Sequence, residues 1–159
     1  MEIRISVTKA SFKKSEVKNM GNRAWIRLVE NSTRTEISLQ DIKEQLNRYI
    51  EMASRTGSQL DWNYAAAAFP YTIEEQSING KNWLVLSGKE PKLYRRLIIG
   101  VEQEPAEKGG RSAIQVLVPP GATHGDHAKA NEFCRYLAKK FQGELHLFNG
   151  RVMYFYPRQ

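Results

Sequence analysis

The chain has 159 residues, 41% hydrophobic and 26% charged, with 24 Lys and Arg against 17 Asp and Glu for a net charge of +7. That length and balance suit one globular domain with a substantial core and exclude a fibrous or intrinsically disordered chain. No run approaches the roughly 18 consecutive apolar residues of a membrane span, and the single cysteine, Cys134, cannot form an internal disulfide.

The amino terminus, "MEIRISVTKASFKKSEVKN", alternates polar and apolar residues and lacks the continuous apolar centre of a secretory signal. A cytoplasmic location is therefore expected, in keeping with the lone cysteine. Residues 1–19 carry Arg4, Lys9, Lys13, Lys14 and Lys18 against Glu2 and Glu16, so three of the seven net positive charges fall there. Ser15-Glu16-Val17 can be encoded as AGY GAG GTN, which contains the purine-rich GAGGT of a bacterial ribosome-binding site, with two codons of spacer before Met20. The expectation is a native start at Met20, a leader over 1–19 that is non-native or disordered, and a single α+β domain over 20–159. A genuine amino-terminal strand "EIRISV" with a basic linker is the alternative.

From Arg23, "RAWIRLV" alternates as a strand does, and "NSTRTEIS" follows as a turn with a short extended piece. Ser38 and Asp41 form an acidic capping pattern, and Leu39, Ile42, Leu46, Tyr49, Ile50 and Ala53 recur at spacings of three and four. These predict a first helix that Thr56-Gly57 ends. In "LDWNYAAAAFPY", Asp61 is placed to cap a short alanine-rich helix stopped by Pro70, with Trp62, Tyr64 and Phe69 as anchors. Residues 71–118 then read as four strands. "YTIEEQS" and "KNWLVLS" flank an Asn79-Gly80 hairpin turn, and "YRRLIIGVEQ" and "SAIQVLV" flank the loop "EPAEKGGR". The connections are too short for parallel crossovers, which predicts an antiparallel meander. Ile114, Val116 and Val118 alternate with Gln115, leaving one face wet or only partly covered.

"PPGATHG" interrupts the strands, and a second helix is expected from about His127 to Gln142, with Phe133, Cys134, Leu137, Ala138 and Phe141 as its buried stripe and Gly143 as its stop. "ELHLF" and "RVMYFY" flank Asn149-Gly150 and predict a closing hairpin. In a two-residue turn Leu147 opposes Val152, Leu145 opposes Tyr154, and His146 opposes Met153. The fold class is thus α+β, with two main helices on one face of an antiparallel sheet built from the meander, the C-terminal hairpin and an N-terminal strand.

The densest chemistry lies in "ATHGDHAKANEF", where Thr123, His124, Asp126 and His127 gather at a helix entrance. A small ligand or anion could be held there by helix amides, or acid–base work done by the two imidazoles. The competing reading makes Asp126 the N-cap of a helix beginning at His127, which employs its carboxylate on backbone amides. A metal has less support, because His124 precedes the glycine and only Asp126 and His127 have predictable directions. No catalytic residue, metal site or cofactor is assigned. Cys134 falls on the apolar stripe and reads as an inert buried thiol, and His146, between leucines, as a hydrogen-bonded core residue. The glycines fall at turns and match no nucleotide-binding fingerprint. Tyr154, Phe155 and Tyr156 must place rings on both sheet faces, so at least one is exposed unless both faces are covered.

The stretches "RAWIRLV", "AAFPY", "ATHGDHAKANEFCRYLAKK" and "GELHLFNGRVMYFYPR" resemble a family of short cytoplasmic proteins from Bacillus-type bacteria, known only as a domain of unknown function. The resemblance runs from about Met20 to the carboxyl end. It implies a compact α+β fold and a bacterial cytoplasmic location, and carries no activity, cofactor or catalytic residue. The expected function is a non-enzymatic binding module that engages a protein or itself through an exposed part of its sheet. The alternatives are a ligand- or anion-binding protein or enzyme at Thr123, His124, Asp126 and His127, and, less favoured, a nucleic-acid binder using the basic, aromatic C-terminal hairpin. No membrane partner is expected.

Overall fold

A computed structural model of the chain describes residues 22–60 and 67–157. The expected leader at 1–19, and Asp61, Trp62 and Tyr64 of the alanine-rich segment, lie outside the described residues. The elements run β1 (Asn22–Arg27), α1 (Leu39–Leu60), β2 (Tyr71–Ile78), β3 (Lys81–Gly88), β4 (Arg96–Gln103), a 3-10 turn (Ala106–Lys108), β5 (Ser112–Val118), α2 (His124–Phe141), β6 (Glu144–His146) and β7 (Val152–Tyr154).

The strands form one sheet in the order β2-β3-β4-β5-β1-β6-β7, and every pairing is antiparallel. The meander is as predicted: Asn79 and Gly80 close the β2–β3 hairpin, both in the left-handed region that such a turn demands. What local pattern could not convey is that β1 inserts between β5 and β6, joining the meander to the C-terminal hairpin.

Both helices lie on one face. Phe133, Leu137 and Phe141 of α2 and Ile42 and Leu46 of α1 share the main buried cluster with inward residues of the sheet such as Ile26, Ile99 and Val116. Burial of large aliphatic side chains at about 1.5–3 kcal/mol each is the principal stabilisation of this face. An aromatic group, Tyr49, Phe69, Tyr71 and Phe133, fills the space between α1, α2 and β2 with ring centroids 5.2–6.2 Å apart. The opposite face is covered in part: Ile78, Trp83, Ile98 and Leu117 form a smaller buried cluster over β2–β5.

Local expectations are corrected at four places. The first helix runs on through Thr56-Gly57 to Leu60. Gly57 is buried within it and the Thr56 hydroxyl donates to the Met52 carbonyl, so a turn already nucleated tolerates the glycine, at about 1 kcal/mol relative to alanine. The second helix starts at His124, three residues earlier than expected. It ends with Gln142, not Gly143, in the left-handed conformation. Gly143 is required for a different reason: a Cβ there would lie 2.6 Å from Ile26 Cγ2 and 3.0 Å from the Arg27 carbonyl oxygen.

The fourth correction has the largest consequence. The C-terminal hairpin pairs Glu144 with Tyr154, Leu145 with Met153 and His146 with Val152. This is one residue out of the register expected from a two-residue turn. The turn is longer, closed by Leu147 N–H donating to Arg151 O and Gly150 N–H to Leu147 O, because Leu147 and Phe148 both pack toward the main core. A one-residue slip exchanges the faces of a strand. Val152 and Tyr154 therefore share the helix-free face with His146, and Met153 takes the inward position.

Candidate functional site

Thr123, not Asp126, caps α2. Its Oγ1 accepts the Asp126 N–H at 3.0 Å, and Asp126 Oδ2 accepts the Thr123 N–H at 3.0 Å, a reciprocal capping box with Asp126 at the third helical position. The pattern with Asp126 as N-cap fails because the threonine three residues upstream makes the better start.

Asp126 is 0% exposed and gathers four donors. Besides the Thr123 N–H it accepts Tyr71 OH at 2.5 Å, Arg95 N–H at 3.0–3.1 Å on both oxygens, and Arg96 N–H at 3.4 Å. Burial first, and then the Asp126 carboxylate, hold the Tyr71 hydroxyl protonated far above the ordinary phenol range. The carboxylate thus ties together the starts of β2, β4 and α2. The β3–β4 loop is drawn onto the same point, since Thr123 Oγ1 donates to Leu93 O at 2.6 Å. A Cβ on Gly125 would meet Leu93 O at 2.6 Å and the Tyr94 ring at 2.7 Å, so that close approach needs glycine.

The imidazoles do not join this cluster. His124 is exposed and His127 half-buried, and among the described residues no hydrogen bond or ion pair links either to Asp126. His146 belongs to the other side of the sheet. There it stacks on Trp25, centroids 5.8 Å apart and planes 22° apart, and its Nε2 is 2.9 Å from Glu144 Oε1. It is half-buried and hydrogen-bonded, not a core residue. Among the described residues no group of three or more His, Cys, Asp or Glu could hold a metal ion. Cys134 is fully buried, and burial pushes its thiol up to about 12, so the reactive thiolate is scarce near neutrality.

The helix-free face carries the features the sequence placed only vaguely. Trp25 is cross-strand partner to His146, which is partner to Val152. Trp25, Val152 and Tyr154 are 38%, 37% and 47% exposed, forming one apolar patch over β1, β6 and β7. Arg27 lies at its edge, its guanidinium 3.0 Å from Glu144 and 3.5 Å from Glu104. Burial works against ionisation of Glu144, but the hydrogen bonds from His146 and Arg27 prevail and hold its carboxyl below the usual range.

A family described as a domain of unknown function, DUF1885, matches residues 22–157. The chain belongs to this family. A crystal structure of a protein of unknown function from Bacillus stearothermophilus is 42% identical, aligns over 80% of this chain and 95% of that one, and superposes with a TM-score of 0.52. No curated protein matches the chain. Family membership upholds the resemblance drawn from the motifs and, like it, brings no activity to any residue. Sequence reasoning about this DUF1885 chain missed Trp25, Tyr71, Arg95 and Arg96. The only signal for the arginines was the basic-aromatic run "LYRRL", and for Trp25 its polar-facing position in an alternating strand.

Proposed function

We propose that this DUF1885 domain is a non-enzymatic binding module whose contact surface is the patch of Trp25, His146, Val152 and Tyr154. The supporting observation is the contiguous exposure of a tryptophan, a tyrosine and a valine on the helix-free face, with Arg27 and Glu144 at the margin. Tryptophan, tyrosine and arginine are the residues that dominate protein–protein contact energies, and a polar rim around an apolar centre is the usual composition of such surfaces. The partner is a protein, another chain or a second copy, presenting a complementary apolar surface.

A cytoplasmic location is part of the same proposal, supported by the single, buried, free cysteine. No helix among the described residues is long and apolar enough to cross a membrane.

Size-exclusion of clarified host extract at native expression level tests the reading. The protein should elute in a species larger than its 18.3 kDa chain. A Trp25→Ala/Tyr154→Ala variant should shift to the monomer position, whereas Met52→Ala, an exposed apolar residue on α1, should not. Identical elution of the wild type and the double variant overturns the proposal.

A further inference from the structure

The face of the sheet that carries no helix is nonetheless buried over β2–β5. Val85, Ile98 and Leu117 stand side by side across β3, β4 and β5, all of them buried. In the next row the Trp83 ring lies against Gly100, where a Cβ would meet it at 2.5 Å, followed by buried Gln115 and then Trp25. Trp83 is 4% exposed and Trp25 is 38% exposed, although both stand on the same face. Gln76, cross-strand partner of Trp83 on the edge strand β2, has an Oε1 that is buried and accepts no hydrogen bond. Side chains on an open sheet face stay accessible from above unless a further layer is packed on them. These are buried within a single chain, so the layer belongs to the chain itself.

No described element supplies it. Both helices pack on the opposite face, and the β3–β4 loop is tied to the start of α2 through Leu93 O. The β4–β5 turn lies beyond Glu102 and Ala113, at the far end of the strands from Leu117. Outside the described residues, 61–66 connect α1 to Phe69, which is part of the main cluster on the helical side. Residues 158–159 follow Pro157, whose carbonyl accepts Asn31 Nδ2 beyond the Arg27 end of β1. Residues 1–21 remain, and they enter β1 at Asn22, beside the pairing of Arg23 with Leu117. From β1 to β2 is four strand spacings, about 19 Å, which 21 residues can cross whether helical, at about 30 Å, or extended, at about 70 Å. They also bring the apolar side chains such a layer needs, in Ile3, Ile5, Val7, Phe12 and Val17. We propose that residues 1–21 cover the helix-free face over β2–β5, as part of the folded protein rather than a non-native leader. The cover stops short of Trp25 and leaves the contact patch open.

Paramagnetic broadening in the full-length, isotope-labelled protein tests this, with a nitroxide on the Ser15→Cys variant. Cys134 is buried, so the reagent attaches at position 15 alone. The indole N–H of Trp83 and the amides of Ile98 and Leu117 should lose most of their intensity, while those of Arg135 and Lys139, exposed on the outer side of α2, keep theirs. Broadening that spares Trp83, Ile98 and Leu117, or that reaches α2 equally, overturns the proposal. So does broadening of Trp83 in unmodified labelled protein mixed with the nitroxide-bearing chain, which would assign the cover to a second copy. In a chain shortened to start at Met20, the Trp83 indole N–H should exchange with solvent at least tenfold faster while the Leu137 amide keeps its protection; unchanged exchange at Trp83 also overturns the proposal. Should the shortened chain fail to fold, the full-length broadening decides alone.

Discussion

Replacing Asp126 with alanine removes the acceptor for four donors at once: Tyr71 OH, the main-chain N–H groups of Arg95 and Thr123 at 3.0–3.1 Å, and the longer Arg96 N–H at 3.4 Å. Hydrogen bonds to a charged group contribute about 1.5–3 kcal/mol each, and donors stranded by loss of their partner cost about 1–3 kcal/mol. The three close bonds cannot be summed, since water entering the space re-satisfies some of the donors; breaking a buried network of this kind costs about 3–5 kcal/mol. The expected loss is about 4 kcal/mol, a large part of a typical stability of 5–15 kcal/mol. At about 2–4 °C per kcal/mol for a domain of this size, the melting temperature should fall by roughly 8–16 °C. Asp126→Asn retains one acceptor oxygen and should lose about half as much. Tyr71→Phe should cost about 1–2 kcal/mol and couple to Asp126→Ala by at least about 1 kcal/mol in a double-mutant cycle. Urea denaturation at neutral pH measures all three. A loss below about 1 kcal/mol for Asp126→Ala, or additivity with Tyr71→Phe, would refute the view that this carboxylate organises the starts of three elements.

Tyr71 also gives the protein an alkaline limit. Its folded pKa is raised by burial and by Asp126, so the unfolded chain ionises first as pH climbs past about 10. The stability that this group contributes is full below that pH and falls above it, by up to about 1.4 kcal/mol per pH unit, and Tyr71→Phe should flatten the decline seen in urea melts between about pH 10 and 11. Cys134, its thiol pushed up to about 12, should react with a thiol reagent at pH 8 only as fast as the domain opens, so labelling should track unfolding in urea; rapid labelling of the native protein contradicts its burial. Gly143→Ala places a methyl 2.6 Å from Ile26 Cγ2 and should lower stability by about 1–3 kcal/mol; a variant as stable as the wild type contradicts the close packing of α2's end on β1.

Periodicity carried the fold class because the signals were local. The three- and four-residue spacing of Phe133, Cys134, Leu137, Ala138 and Phe141 and the alternation in β4 and β5 report burial directly. The sheet order and the C-terminal register depend on non-local packing. Asn149-Gly150 favours a two-residue turn in isolation, but burial of Leu147 and Phe148 in a shared core selects a longer one and turns Val152 and Tyr154 outward. The candidate site was legible in part for a similar reason. Thr123-x-x-Asp126 is a complete capping box within four residues, yet nothing local shows that Tyr71, Arg95 and Arg96 converge on that carboxylate from two other elements. The imidazoles stood out in the sequence because histidine is a versatile side chain; in space they are dispersed over both sides of the sheet.

Residue-specific photocrosslinking in living cells addresses the proposed contact surface most directly. With the photoreactive side chain at Tyr154 or Val152, a discrete conjugate of defined mass should form, and the same probe at Met52 on α1 should give none. Conjugates of equal yield from Met52, or none from either hairpin position, contradict the account.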